Sequence, residues 1–429
     1  MKAFLTLLIY RAILPMLFVI AFPGWVVKML RRGGFGTALN ERIGLYFNPS
    51  DFEPCNAIHL HAISVGETIT ALKLIRAWQV DHPESRFVLA TGTATGHQTA
   101  TAAVIPNLRV TYAPLDFAWM IRSYLKRFEP SQIVLIEGEI WPNLLRYAEK
   151  RHIPVSLANA RLSPGSMRRF NRFASLLRPF FSKLACVCIQ ENEHRSIWEK
   201  LGITPEKIHL TGSIKFDPQS ATPPQQRADF REMLDSFGKG RPVILAASTF
   251  PGEEVLIASA IREADPNALP VIVPRHAERR LEVFQTLNQA GFQVTLRSAF
   301  ETPLQPDHAV FVIDTTGELA TWTAHANVVI IGKSFLSSGG QNPAEAILAN
   351  KPLILGPHME NFQPLVRHLH AENGAILACD RKEISLAIRR MLDPALAEKL
   401  ARRATEVLAI HNGATQRHLK VLHPLPKTA

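Results

Sequence analysis

The sequence predicts an α/β protein of two Rossmann-like domains, each a parallel sheet covered by helices, behind an apolar N-terminal helix. Three observations carry this. Short β-rich runs alternate with longer stretches of helical period, the pattern of parallel sheets with helices on both faces. A Pro- and Gln-rich polar stretch at residues 218–227 interrupts the alternation, which then restarts. The chain has 429 residues, more than one hydrophobic core usually organises.

Residues 12–27, AILPMLFVIAFPGWVV, carry no charge, and residues 4–10 before them are almost as apolar. The run is somewhat shorter than the ~20 residues a straight spanning helix needs. It lacks the small-residue cleavage site of a removed signal, and Lys28, Arg31, Arg32 and Arg42 follow it. A helix apolar all round is either buried in a large core or placed in a membrane. Its position and basic flank favour an anchor over residues 1–32, spanning or interfacial, with the body on the cytoplasmic side. Strand-like runs follow at 57–60, 87–90, 133–136, 154–157, 186–189 and 208–211, with helical periodicity at 68–81, 117–128 and 192–201. They form a first domain over residues 33–217. A linker over 218–241 leads to runs at 243–247, 271–273, 310–313, 328–331 and 353–355, a second domain over 242–410, and a tail over 411–429.

Apolar residues make up 47% and charged residues 20%, which excludes a disordered, collagen-like or multi-span chain. Lys+Arg 48 against Asp+Glu 37 leaves a net charge of +11 and implies an anionic partner. Nucleic acid is not expected, because the aromatic content of 8% is ordinary and no recognition motif occurs. The four cysteines, Cys55, Cys186, Cys188 and Cys379, fit a reducing compartment better than a bridge or a cysteine-based zinc site.

Ligands of open parallel sheets bind beyond the carboxyl ends of the strands, so the loops there hold the candidates. In His61-Ala62-Ile63-Ser64-Val65-Gly66-Glu67, Ser64 and Gly66 suit a strand-to-helix turn. Glu67 is then either a carboxylate meeting the positive helix end or a general base. In Glu137-Gly138-Glu139-Ile140-Trp141-Pro142-Asn143, two carboxylates end a very apolar strand and need partners or a cleft. One of them is also placed to cap the helix that Pro142 starts. In Gly212-Ser213-Ile214-Lys215-Phe216-Asp217, Lys215 is either an anion ligand at the domain junction or an ordinary solvated lysine.

The second domain supplies Val273-Pro274-Arg275-His276, then Thr316-Gly317-Glu318-Leu319, then Gly339-Gly340-Gln341-Asn342-Pro343-Ala344-Glu345. Arg275 is a natural phosphate ligand, and the glycines would let backbone N–H groups approach a phosphate at a helix N-terminus. Equally, Asn342 reads as an N-cap, Pro343 as the first helical residue and Glu345 as part of a capping box or a ribose acceptor. Gly332-Lys333-Ser334 looks like the end of a P-loop, but Asn327 stands where its first glycine belongs. Neither Asp-x-Asp nor His-Glu-x-x-His occurs, so nothing asks for a metal, and no cofactor is expected. Residues 167–184 mix Arg168, Arg169, Arg172, Arg178 and Lys183 with aromatic and aliphatic residues. They read as a surface helix with a packed face or, preferably, as an element whose apolar side enters a membrane interface while its cations meet lipid phosphates.

Together these loops resemble the membrane-anchored Kdo transferases, which move 3-deoxy-D-manno-octulosonic acid (Kdo) from CMP-Kdo onto a lipid A precursor. The matching stretches are HAISVGE, EIWPN, NARLS, GSIKFD, VPRH, GEL and GGQNPAEA, in order through both domains. Phe250 and Pro251 stand where the family pattern has His-Glu, Gln341 replaces a common His and Ala344 a common Leu.

The resemblance implies a GT-B glycosyltransferase with an interdomain cleft. It implies Glu67 as catalytic base with Glu137 and Lys215 as transition-state stabilisers. Arg275, His276, Gly317, Glu318, Leu319, Asn342, Pro343, Ala344 and Glu345 then form the CMP site. It further implies an inverting, metal-independent transfer to lipid IVA in the lipopolysaccharide inner core, at the cytoplasmic face of the inner membrane, with Arg168, Arg169 and Arg172 toward membrane and acceptor. Two other readings compete: a nucleotide-sugar epimerase of the same architecture, which has no use for an anchor, and a non-catalytic lipid-binding protein, which has no use for the loop residues.

Overall fold

The computed structural model describes residues 2–31, 39–46, 56–138, 141–218, 224–300 and 309–423. The chain divides into two compact units, residues 1–220 with 413–429, and residues 221–412.

Unit 1 is built on seven parallel strands: β1 (Ile58–Ala62), β2 (Phe87–Thr91), β3 (Leu108–Tyr112), β4 (Gln132–Ile136), β5 (Val155–Ala160), β6 (Val187–Ile189) and β7 (Ile208–Leu210). Their order is β3-β2-β1-β4-β5-β6-β7. β1 pairs with β2 on one side and β4 on the other, setting His61 opposite both Ala90 and Leu135. Strands β1, β2, β4 and β5 are buried along their whole length, as runs covered on both faces must be. The helix Val65–Asp81 covers one face, burying Leu74, Ile75 and Trp78 against Leu60, Leu89 and Val134. Sequence order reverses between β1 and β4, which makes their carboxyl ends the switch point where such sheets bind ligands.

Unit 2 repeats the plan with β8 (Val243–Thr249), β9 (Leu269–Pro274), β10 (Gln293–Leu296), β11 (Ala309–Val312), β12 (Val328–Ile331), β13 (Leu353–Leu355) and β14 (Ile376–Leu377), all parallel. Their order is β10-β11-β9-β8-β12-β13-β14, so the switch point lies between β8 and β12. Strands β3, β10 and β14, which no sequence run announced, are edge strands. In β3 only the last two residues are buried, so it lacks the continuous apolar run of a central strand.

Two expected boundaries shift. The stretch 218–241 is not all linker: the helix Ala228–Asp235 belongs to unit 2. Its Phe230 ring lies 4.2 Å from Trp322, Phe237 lies 5.0 Å from Phe311, and the Arg227 N–H donates to His325 Nε2 at 3.0 Å. Phe230, Leu234 and Phe237 recur at helical spacing and are buried. The tail over 411–429 likewise contains a helix, Ala414–Leu422, which places Leu419 and Leu422 in the core of unit 1.

The apolar segment forms one helix, Lys2–Arg31, with a stretch long and apolar enough to cross a membrane at Thr6–Gly24. One stripe of it is docked on unit 1. Leu7 is buried in the core, Tyr10 packs against that core, and the Phe18 ring meets Phe117 edge-on at 5.6 Å. Arg11 donates to Asn143 Oδ1 at 2.7 Å and to the Tyr147 hydroxyl at 3.2 Å. The remaining faces expose Leu8, Ile9, Ile13, Met16, Leu17, Val19, Ile20 and Phe22. Arg42 is not part of an exposed basic flank. It is buried, its guanidinium 3.8 Å from the centre of the Tyr112 ring and donating to the Gly92 carbonyl at 2.9 Å.

Candidate active site

β1 leads through Ile63 and Ser64 into the helix Val65–Asp81. Ser64 is its N-cap: an extended backbone (φ −120°, ψ 164°) lets its Oγ accept the Glu67 N–H at 3.2 Å. Glu67 completes the exchange, accepting the Ile63 N–H at 2.8 Å and the Ser64 hydroxyl at 3.0 Å. The helix-terminus reading of Glu67 is thus realised as a variant of the capping box. Glu67 as a whole is 8% exposed. These donors help to fix its carboxylate at the positive end of a helix.

Glu137 ends the adjacent strand, β4, with φ +69°. That left-handed conformation costs a non-glycine residue about 1 kcal/mol or more and persists only where the surroundings enforce it. They do so here: the Glu137 N–H donates to Ala158 O and its carbonyl accepts the Arg161 N–H, both at 2.9 Å. Arg161 Nε lies 3.9 Å from the Glu137 carboxylate. Lys215 sits in the short helical turn Ile214–Phe216 that follows β7. Burial holds its ammonium below the usual lysine range, the Glu137 charge pulls it back up, and Arg161 and Lys73 push it down again. Glu137, Lys215, Arg161 and Lys73 therefore form one electrostatic group. Sequence reasoning picked out the first two. Arg161 lay in the NARLS stretch without a role, and Lys73 is one more charge on a helix.

The turn carrying Lys215 is fixed from both sides. Asn159, at φ +54°, accepts the Ile214 N–H at 3.0 Å through its side-chain oxygen. The Asp217 carboxylate accepts the Gly413 N–H at 2.9 Å and the Thr415 N–H at 2.8 Å. Pro142 starts its helix as predicted, but that helix is capped from elsewhere in the fold. Asp116 accepts the Asn143 and Leu144 N–H groups, both at 2.9 Å, and the Tyr10 hydroxyl at 2.8 Å. Burial pushes Asp116 up to about 7, against the pull of Asn143, Tyr10, Leu144 and Arg11. Glu139 lies outside the described residues.

Residues 167–184 form two helices, Pro164–Arg172 and Ala174–Phe181. Their apolar side is largely committed to the protein: Phe180, Phe181 and Leu184 are buried, and Met167, Phe170, Ala174 and Leu177 pack against the same core. The apolar face expected to enter a membrane is thereby reduced to Phe173 and Leu176, both exposed, next to the exposed Arg168, Arg169 and Arg172.

In unit 2 the candidates lie where the strands end. Arg275 and His276 follow β9 with exposed side chains, and the Arg275 N–H is tied to Thr249 O at 3.0 Å. His276 lies 3.6 Å from Glu278, and its ring meets Phe250 edge-on at 5.9 Å. Gly317, after β11, has φ +85° with open space where a Cβ would stand, so the backbone conformation requires the glycine. Glu318 is engaged, accepting the Thr315 hydroxyl at 2.6 Å, Arg297 at 3.2 Å and the Trp322 indole N–H at 3.4 Å. Leu319 opens the helix Leu319–His325.

The glycine pair after β12 serves packing rather than an open N–H cradle. A Cβ on Gly340 would collide with Met359 Sδ. The Gly339 N–H donates to Glu360 at 2.6 Å and the Gly340 N–H to the Lys333 carbonyl at 3.0 Å. The helix beyond them, Ala344–Leu348, begins one residue later than predicted: Pro343 precedes it, and Asn342 Oδ1 accepts the Ala344 N–H at 3.2 Å. Glu345 lies in its first turn.

Residues 37–218 match the family model described as 3-deoxy-D-manno-octulosonic-acid transferase (kdotransferase). The 3-deoxy-D-manno-octulosonic acid transferase of Haemophilus influenzae is 32% identical over 391 residues, covering 90% of this chain and 91% of that one. The enzyme of the same name from Bordetella pertussis is 34% identical over 380 residues, with 85% and 86% covered. Among solved structures, UDP-GlcNAc 2-epimerase from Neisseria meningitidis has a TM-score of 0.59 at 15% identity, covering 86% of this chain and 99% of its own. At that identity it bears on the fold alone, the pair of parallel-sheet units expected of a GT-B protein. Full-length similarity at this level, with Glu67, Glu137 and Lys215 at the carboxyl ends of unit 1 strands, places the chain in the 3-deoxy-D-manno-octulosonic acid (Kdo) transferase family, and it is a glycosyltransferase.

Proposed function

We propose that the chain moves Kdo from CMP-Kdo to the lipid A precursor lipid IVA during assembly of the lipopolysaccharide inner core. It works at the cytoplasmic face of the inner membrane, anchored by the helix Lys2–Arg31. The observation that carries this reading is that Glu67 and Glu137 follow the carboxyl ends of two adjacent strands, β1 and β4, the switch point of the unit 1 sheet, and that Glu137 is coupled electrostatically to the half-buried Lys215.

A sugar hydroxyl is a weak nucleophile. Glu67 takes its proton as it attacks, a contribution of about 10²–10⁴-fold. The anomeric carbon is displaced once, with inversion, through a transition state of oxocarbenium character. The bond to the CMP phosphate breaks and its electron pair leaves with CMP. Arg275 meets the charge that grows on that phosphate, and Lys215, held below the usual lysine range by burial, supplies a second poorly solvated cation for developing charge. Glu137 keeps Lys215 charged and oriented. These cations meet the charge without a metal. Unit 2 holds the nucleotide through Arg275, His276 and the Gly317–Leu319 and Asn342–Glu345 loops. The exposed apolar faces of the N-terminal helix and the cations Arg168, Arg169 and Arg172 support a membrane-embedded acceptor.

The test is mass spectrometry of a tetraacyl lipid A precursor incubated with detergent-solubilised protein and an in situ source of CMP-Kdo, with no metal beyond what that source needs. A gain of one or more Kdo units is expected. Glu67→Gln should abolish the gain and leave CMP binding intact. An unmodified lipid from protein that binds CMP would show that the acceptor or the sugar is a different one.

A further inference from the structure

Lys333 has no part in the machinery above, yet the fold holds it in an unusual way. It follows β12 at the unit 2 switch point, directly across from Phe250, which follows β8. Its backbone is left-handed, φ +55°, where a side chain is strained and a glycine would not be. The strain is enforced from both sides: the Lys333 N–H donates to Glu253 Oε2 at 2.6 Å and its carbonyl accepts the Gly340 N–H at 3.0 Å.

Glu253 is itself fully buried. It also accepts the N–H groups of Phe250 at 2.9 Å, and of Ser334 and Phe335 at 3.0 Å each. The backbone N–H groups of the Gly-Lys-Ser stretch are therefore already filled, those of Lys333 and Ser334 by a carboxylate of the chain and that of Gly332 by the Ala247 carbonyl at 2.8 Å. Those N–H groups are not open to cradle a phosphate as those of a P-loop do. What it leaves for an outside anion is the lysine side chain.

That side chain is half-buried. Its Nζ lies 4.9 Å from the centre of the Phe250 ring and 3.6 Å from where a Cβ on Gly339 would stand. Among the described residues no carboxylate lies within ion-pairing distance of it. The neighbouring acids are otherwise engaged: Glu253 as above, Glu254 with Arg279 at 2.9 Å, and Glu360 with Gly339 and His358. Phe250 in turn touches His276, beside Arg275. A strained, half-buried and unpaired cation thus stands next to the expected nucleotide ligands at a ligand-binding switch point.

We infer that Lys333 binds an anionic oxygen of the donor sugar nucleotide, and that Phe250 holds its ammonium in place. This rests on reading unit 2 as the donor's unit. The anion is either the nucleotide phosphate or the carboxylate of the sugar. Lys333→Gly separates binding from folding, because glycine relieves the left-handed strain.

The experiment compares Lys333→Gly with the wild type by calorimetric titration of CMP and of cytidine, by KM for CMP-Kdo, and by melting temperature. The variant should melt at or above the wild-type temperature. CMP affinity about tenfold weaker with cytidine affinity unchanged assigns the phosphate. Unchanged CMP affinity with a tenfold higher KM for CMP-Kdo assigns the carboxylate. If CMP affinity and KM both stay within twofold of wild type, Lys333 has no such role and the inference falls. A wild-type protein that binds no CMP overturns the donor reading of unit 2, and this inference with it.

Discussion

His418 Nε2 accepts the backbone N–H of Asn159 at 3.0 Å, joining residues 259 positions apart. The same nitrogen lies 3.1 Å from the Thr211 hydroxyl, and Nδ1 donates to the Ala414 carbonyl at 2.8 Å. Asn159 holds the N–H of Ile214, the residue before Lys215. The helix Ala414–Leu422, far along the chain, is in this way part of the support of a proposed catalytic lysine in unit 1.

Replacing His418 with Ala leaves the Asn159 N–H buried without its acceptor and opens a cavity beneath the returning helix. Each unsatisfied buried polar group costs about 1–3 kcal/mol. A loss of about 3 kcal/mol in unfolding free energy is expected by urea denaturation. Transferase activity at a temperature where the variant remains folded should fall as well, because the Lys215 turn loses its brace.

Stability should decline in mild acid. Burial lowers His59 to about 3 and His61 and His418 to about 4. A histidine lowered in the folded state takes up its proton more readily when unfolded. Its stabilisation is complete above pH ~6.5 and is lost as pH falls toward ~4. Asp116, raised to about 7, works in the opposite sense, losing its contribution as pH rises from about 4 to about 7. With three histidines against one carboxyl, the urea midpoint should be lower at about pH 5 than at about pH 7.5. A His418→Gln variant should show a shallower dependence.

Asp116 fastens two elements at once, the N-terminal helix through Tyr10 and the helix Pro142–Glu149 through two backbone N–H groups. Asp116→Ala should destabilise the protein by about 2–3 kcal/mol, because buried N–H donors lose a shared acceptor. Tyr10→Phe, which removes one hydroxyl and keeps the packing, should cost about 1 kcal/mol. A thermal melt of the detergent-solubilised protein reads both.

Arg168, Arg169 and Arg172 are exposed on a helix whose apolar side already faces the core. Replacing all three with Gln should leave the melting temperature and CMP affinity unchanged. It should weaken binding to vesicles containing anionic lipid by roughly 1 kcal/mol per charge, an effect that salt suppresses in the wild type. Undiminished vesicle binding would remove these arginines from the membrane surface.

The sequence by itself determined the architecture and the placement of the candidate residues in loops at strand ends. Alternation of buried runs with helical periods needs only local information, so the central strands of both sheets were legible. Motif spacing placed Glu67, Glu137, Lys215 and Arg275 at strand ends. The edge strand β3 was not legible, because its half-exposed residues carry no apolar run. The tertiary structure decided what no local pattern encodes. Glu67 is a capping residue whatever its chemistry, and Asp116 accepts two N–H groups of the helix after Pro142. Arg161 and Lys73 join the Lys215 group. One stripe of the apolar N-terminal helix is fastened to unit 1 while the rest stays exposed. Each of these depends on contacts between residues distant in sequence. Such contacts exist only once burial has removed water and left each polar group to find its partner within the fold.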